Sequence, residues 1–469
     1  MNAQQALAGL WRLAELPQEA LGWVRLTGSD PVYPSSFAVA TAAQSTIAAA
    51  ALAACELGHA RGVARQHVAV DAVHAAAECL GWFSIDDRVP QLWDKFSGLY
   101  RARDGWVRIH ANFQHHREGA LRLLGLAPAT ADRHAAEQAM LAWKAQAFED
   151  AAAQAGLVAA RLRSFAQWDA SEPGRAIAAQ PLFTISRIGD APPQALPALA
   201  PQQRPLEGVR VLDLTRILAG PVGGRALAAY GADVMLVNAP HLPNIEAIAD
   251  TSRGKRSALV DLRTPEGAAA MDALLAGAHV FVQGYRPGAL AQLGHGPEAV
   301  ARRRPGIVYV SLCAYGAQGA WQDRRGFDSL VQTATGFNLA EAEAAGDAAK
   351  PLALPMQILD EATGYLIAFG AAAALLRQQR EGGSWHVQLS LAQTGHWLRQ
   401  LGRVAHGFAV PAPELEPFLE TTASRWGALR GVGHSAQLGR TPAFWRRPSE
   451  RPGDSLPRWY VPSSSRESR

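Results

Sequence analysis

Asp360 is the acid with the most chemistry within reach. It follows an apolar segment, Leu352–Leu359, and opens a helix expected to run from about Asp360 to Gln379 and to stop at Gly382–Gly383. An Asp in that place is commonly an N-cap, worth ~1 kcal/mol, and composition alone favours that role. The same geometry serves a second purpose. The positive end of a helix keeps a carboxylate ionised, and an ionised, partly desolvated carboxylate is a nucleophile.

Other groups are weighed the same way. Arg253-Gly254-Lys255-Arg256, Arg263, Arg286 and Arg325 could grip phosphates, and a solvated surface accounts for them equally well. Arg324 and Arg325 stand close to Asp328, which is available to pair with either. His115 and His116 would face opposite sides of a strand and lack further ligands at metal spacing, so they read as surface histidines. Gly431-Val432-Gly433-His434-Ser435-Ala436 fits G-x-G-x-x-A, but it follows no strand and opens no helix, which marks a chance match. There is no G-x-S-x-G elbow and no Walker phosphate loop.

The elements that must position Asp360 are legible as short apolar runs. Val209–Leu214, Val234–Val237, Ser257–Val260, Val280–Val282 and Ile307–Leu312 read as strands, with helical stretches between them. Thr264-Pro265-Glu266 is a helix start with a capping Thr and Pro at the first helical position. Strands alternating with helices indicate an α/β fold with a parallel, Rossmann-like sheet. His386–Ser390 reads as a further strand, followed by another helix.

The first part of the chain has a similar order: an Ala-rich helix from about Thr41 to Gly58, then His67–Val70, then a helix through Ala75–Cys79. An ungapped shift places Arg61 on Arg380, His67 on His386 and Thr41 on Asp360. If this is a repeat, the first copy has lost its carboxylate. Leu99 to Leu126 alternates, turns at Asp104–Gly105 and ends in a helix, as a small α+β domain would. Ile188 to Leu206, rich in Pro, Ala and Gln, reads as a linker. The tail after about Arg403 is rich in Pro and Arg, and its last residues (SSSRESR) are expected to be disordered.

Composition narrows the classes. At 469 residues the chain exceeds what one core usually serves. With 48% hydrophobic and 18% charged residues it is ordinary for a globular protein. A net charge of +4 without a concentrated basic patch argues against nucleic acid as a partner. Cys55, Cys79 and Cys313 are too few and scattered for a disulfide framework or a zinc site, so no metal and a reducing, cytoplasmic setting are expected. The N-terminus lacks a signal-peptide pattern. The longest apolar stretches, Tyr365–Leu376 and the Ala-rich run after Thr46, fall short of the ~18–20 residues of a membrane span, and no membrane association is expected.

Taken together, the segments resemble the class III CoA-transferases. The phrases that carry the likeness, in the family's order, are DLTRILAGP (Asp213–Pro221), YGADVMLV (Tyr230–Val237), RGKRSALVDLRTPEG (Arg253–Gly267), YRPGAL (Tyr285–Leu290), RRPGIVYVSLCAYGAQGAW (Arg303–Trp321), RRGFDSLVQTATG (Arg324–Gly336) and LDEATG (Leu359–Gly364). The resemblance implies a Rossmann-like large domain with a smaller α+β domain. It implies coenzyme A as a substrate, an acyl-CoA donor and a carboxylic acid acceptor as partners, and a homodimer. It makes Asp360 the nucleophile that becomes an aspartyl-CoA thioester. It places CoA contacts at Arg225 and Ala226, at Val260, Asp261, Leu262 and Arg263, at Gly284, Tyr285 and Arg286, and at Arg325.

The chain departs from the family at Asn238, where an acid is usual, at Gly284, where Asn is frequent, and at Gln292, where an Arg often stands. Its order is also unusual. Residues 1–90 resemble the C-terminal part of the family's large domain and 91–187 the small domain. Residues 188–206 are the linker, 207–402 the Rossmann-like domain with Asp360, and 403–469 the tail. A tandem duplication that lost its outer pieces would produce this order. Two other functions remain open. One is a CoA-thioester racemase, whose relatives carry a His where Phe327 precedes Asp328. The other is a non-catalytic CoA-binding protein.

Overall fold

The computed structural model describes residues 1–460. Its centre is a seven-stranded sheet of β1 (Phe183–Gly189), β2 (Arg210–Leu214), β3 (Asp233–Asn238), β4 (Arg256–Leu259), β5 (Val280–Gln283), β6 (Val308–Cys313) and β7 (Ser384–Ser390). The order across the sheet is β4-β3-β2-β5-β6-β7-β1. Strands β2 to β7 are parallel, with Val211 beside both Val234 and Val280. β1 closes the β7 edge in the antiparallel sense.

All four residues of β5 (VFVQ) are buried. Continuous burial of this kind is what a parallel strand covered on both faces requires. The chain leaves β2 toward β3 and β4 on one side, and β5 to β7 follow on the other. Between β2 and β5 lies the point where strand order reverses, and the crevice above the C-terminal strand ends is where such sheets take ligands.

Four helices matter for the site: α1 (Val39–Ala60), α2 (Ala219–Ala229), α3 (Asp328–Thr335) and α4 (Ile358–Glu381). α1 packs on α4, which also packs on α2. Ala is the best helix former, and a helix apolar on all sides belongs in a core. α1 and α4 are long and apolar enough to cross a membrane, and their most apolar stretches are wholly buried within this fold. They are longer than the apolar runs because buried polar residues such as Gln44 and Gln378 extend them. Gly223 and Gly364 set the α2–α4 spacing. A Cβ on Gly364 would lie 2.6 Å from the carbonyl oxygen of Ala219, and one on Gly223 would lie 2.8 Å from that of Gly364.

The shift noted in the sequence recurs in space. It carries Val39, where α1 starts, onto Ile358, where α4 starts. It also carries strand Val68–Asp71 into β7 and helix Ala72–Cys79 onto the helix Leu391–Gln400. Each second helix has a side-chain cap at the matching place, Asp71 in one and Ser390 in the other.

Residues 98–161 hold a three-stranded antiparallel sheet (Gly98–Ala102, Gly105–Ile109, Ala159–Arg161). Helices cover it over a separate core of Tyr100, Val107, Leu121, Met140 and Phe148.

Two segments differ from expectation. The stretch expected as a linker is preceded by β1, which straddles its boundary, and the rest is a fixed strap. Arg61 donates to the carbonyls of Pro197, Pro205 and Glu207, and Gly383 N–H donates to that of Ala191. An aperiodic Pro-rich segment can be held in this way because its carbonyls still accept. The tail is likewise built in through residue 460. Its hairpin, Leu419–Ser424 with Gly427–Val432, pairs with Phe83–Ile85, and Trp459 donates to the carbonyl of Leu274. Ser463–Arg469, expected to be disordered, lies outside the described residues.

Candidate active site

Asp360 stands in the first turn of α4, not at its cap. The cap position is Gln357, whose side chain makes no capping bond. Asp328 does this work from the start of α3: its Oδ2 accepts from Asp360 N–H at 2.9 Å, and its Oδ1 accepts from Gln332 Nε2 at 2.5 Å. Asp328 therefore does not pair with Arg324 or Arg325. Arg324 bonds instead with Glu149 at 3.4 Å.

The electrostatics differ from the expectation drawn from the helix end. Burial first, then the carboxylates of Asp328 and Glu361, hold Asp360 well above the usual carboxylate range. Burial also raises Asp328 and pushes Glu361 up to about 8. Two adjacent buried carboxyls cannot both ionise freely, and this outweighs the helix end.

Three cavities open at the C-terminal strand ends. The first, of about 450 Å³, lies between the sheet and the small domain, lined by Arg216, Gly284, Tyr285, Arg286, Arg325, Phe327, His115 and His116 among others. The second, of about 310 Å³, includes Gln283, Tyr285, Arg286, Ser311 and His386. The third, of about 260 Å³, includes Val260, Asp261, Leu262, Arg263, Tyr285, Arg286 and Gln292. Tyr285 and Arg286 border all three.

Eight of the ten expected CoA contacts thus line the first and third cavities, which share Tyr285 and Arg286. Arg263 is exposed and bonded to Asp261 at 2.7 Å. Burial and the neighbouring Arg286 guanidinium lower the pKa of Arg325. Asp360 itself lines none of these three cavities. Phe327, which lines the first, is followed by Asp328, the residue bonded to the Asp360 backbone.

Arg225 and Ala226 are placed elsewhere, on the buried α2. Arg225 is ion-paired with Asp250, and its guanidinium lies 3.9 Å from Glu361. The basic run 253–256 is structural too. Arg253 bonds with Asp250 at 2.7 Å, Lys255 with Asp213 at 2.9 Å, and Arg256 with Asp233 at 2.7 Å. These charges are buried, where an unpaired charge costs several kcal/mol by order of magnitude (about 3–5), so their acids take them from any phosphate.

Sequence reasoning missed three features. Arg216 lines the first cavity, its guanidinium 5.5 Å from the Phe113 ring centre. Ile217 beside it has φ 76°, a left-handed conformation that is strained for a β-branched residue. His115 and His116 sit on a helix (Gln114–Leu123), and His116 is buried. Their place becomes visible only when the small domain is set against the sheet.

Residues 206–416 match the model of CoA-transferase family III. The chain is 33% identical over 250 residues to a probable fatty acyl-CoA transferase, Rv3272, of Mycobacterium tuberculosis, covering 50% of this chain and 61% of that one. It is 33% identical over 207 residues to a succinate–glutarate CoA-transferase of Agrobacterium fabrum, covering 40% and 51%. The crystal structure of Rv3272 superposes with a TM-score of 0.38 at 34% identity, covering 45% of this chain and 58% of that one. The chain spans roughly half to three fifths of the length of these relatives.

Proposed function

We propose that the protein is a CoA-transferase that moves coenzyme A between carboxylic acids through an aspartyl-CoA thioester on Asp360. The observation that carries this reading is the gathering of eight expected CoA contacts around two adjoining cavities, one of them lined by Phe327, whose neighbour Asp328 bonds to the Asp360 backbone. The resident chemistry follows from the carboxylate. Ionised Asp360 attacks the donor's thioester carbonyl and expels CoA thiolate, forming a mixed anhydride. The thiolate attacks the Asp360 carbonyl of that anhydride and expels the donor acid as its carboxylate. The acceptor carboxylate then repeats the two steps in reverse and leaves as its CoA thioester. The donor thioester and the aspartyl-CoA thioester are close in energy, with the anhydride a higher, transient species between them, so covalent catalysis divides one hard exchange into easier ones.

The diphosphate and adenosine of CoA would lie along Val260–Arg263, Tyr285 and Arg286, with Arg325 across the first cavity. Phe327 carries no transferable proton, which weighs against the racemase reading.

The test is intact-protein mass spectrometry after incubation with a set of acyl-CoAs, alongside Asp360→Ala. A CoA-sized adduct, labile to hydroxylamine and absent from the variant, is expected. No adduct with any donor, from protein that still binds CoA, would move the reading to a binding-only protein.

A further inference from the structure

The second cavity, of about 310 Å³, takes no part in the chemistry above, and its floor is a regular array. Gln283, Ser311, Gln388 and Thr184 stand in register across β5, β6, β7 and β1, paired as Gln283–Ser311, Ser311–Gln388 and Gln388–Thr184. Partners in register share a face of the sheet, so the four form one polar row with a step of about 4.8 Å from strand to strand. All four line the cavity. Two residues back on β5, β6 and β7, Phe281, Tyr309 and His386 make a second, aromatic row. Phe281 and Tyr309 stack at 5.0 Å, and Tyr309 meets His386 edge-on at 5.2 Å between centroids. Parallel strands ordinarily carry apolar side chains on both faces. A row of amides and hydroxyls in their place costs free energy unless hydrogen-bonding partners meet it.

The bonds within the row leave its amides with capacity to spare. Ser311 Oγ lies 2.7 Å from His386 Nε2. Gln283 Oε1 accepts from the Tyr285 N–H at 2.9 Å, and its Nε2 bonds to no described residue. The hydroxyl of Thr184 is buried, so Gln283, Ser311 and Gln388 are the members that face a ligand. The lining also sets the ligand's charge. Among the described residues Arg286 is the one ionic side chain there, and no Asp or Glu lines the cavity. Burial pushes the pKa of His386 down to about 4, so its ring is neutral at pH 7. The first cavity, by contrast, gathers Arg216, Arg286 and Arg325. A neutral lining with two glutamines suits a neutral group that carries donor and acceptor side by side. An amide is such a group, because its C=O and N–H pair with a Gln side chain at two points.

We propose that the second cavity is a binding site for a neutral, amide-bearing small molecule other than CoA, held by Gln283 and Gln388 with Ser311 between them. The site does not depend on the CoA-transferase reading, under which CoA occupies the first and third cavities.

Saturation-transfer NMR on the wild-type protein tests it with N-acetyl-β-alaninamide, whose two carbonyls stand about one strand step apart. A dissociation constant of about 1 mM is expected, a strength open to a ligand of this size. Gln388→Leu is expected to weaken binding about fivefold, the equivalent of one net hydrogen bond. Should that variant not fold, as judged by circular dichroism, Gln283→Leu reads the same loss. Tighter binding of N-acetyl-β-alanine, the carboxylate counterpart, or of the polyol ribitol overturns the class of ligand. Displacement of the probe by CoA assigns the cavity to the CoA arm and overturns a separate site. No saturation transfer at ten times the expected constant, or transfer undiminished in the folded variant, overturns the site itself, and none of these results bears on adduct formation at Asp360.

Discussion

The carboxylate of Asp328 accepts a hydrogen bond from the backbone N–H of Asp360 at 2.9 Å. One acid thus holds the other in place while opposing its ionisation, since burial and the Asp328 charge both raise Asp360. A nucleophile must be ionised, so on the proposed mechanism the rate of adduct formation is expected to rise with pH as Asp360 loses its proton.

Replacing Asp328 by Asn removes the charge and keeps an acceptor for the Asp360 N–H. The rise in rate is expected to move to lower pH by about one unit, a shift equal to ~1.4 kcal/mol. Stopped-flow measurement of adduct formation between pH 5 and 9 reads it. An unmoved profile would mean that burial and Glu361 set the Asp360 ionisation without Asp328.

Asp360→Asn should stabilise the protein at neutral pH. A carboxyl whose folded pKa is raised gives stability that is fully present below its unfolded pKa, ~3.9, and lost as pH rises through the folded value. The variant escapes this loss, so its gain in Tm is expected at pH 7–8 and to vanish near pH 4. Thermal unfolding followed by circular dichroism at both pH values checks the sign.

Gly364→Ala is expected to destabilise by about 1–3 kcal/mol, the usual range for overpacking, because its Cβ would stand 2.6 Å from the Ala219 carbonyl oxygen. Urea unfolding measures the loss. Asp360 lies one turn away, so the same variant should also slow adduct formation.

Lys255→Met leaves Asp213 buried without its cation. A loss of about 3–5 kcal/mol is expected. Pairing it with Asp213→Leu should recover most of that loss. If the double variant is as unstable as the single, the pair supports the fold through more than its charges.

The parallel sheet was legible in the sequence because its strands are continuous apolar runs between helix starts such as Thr264-Pro265, which caps its helix through Gly267 N–H. Val260–Arg263 and Gly284–Arg286, expected from the family phrases to hold CoA, lie on loops after strands and line cavities. Arg225 and Lys255 show the limit. Asp250 and Asp213, which take their charge, approach only after folding, and no local pattern distinguishes a paired arginine from a free one. Likewise, the strand Phe183–Gly189 needs β7 beside it to exist, and that partner lies far along the chain. His116 was read as a surface residue from its neighbours in sequence, whereas Phe327, from a distant part of the chain, packs against it and it is buried.

The packing of α1 on α4 has a consequence for biosynthesis. Ser35, just before α1, bonds with Glu341, which lies 306 positions later and shortly before α4. At a translation rate of about 5–20 residues per second, the wait between these two segments is about 15–60 s. For that time the face of α1 that α4 covers has left the ribosome without its partner. The nascent chain is therefore a natural client for a holdase chaperone, and slowing synthesis should lower the soluble yield of this protein more than that of one whose contacts are local.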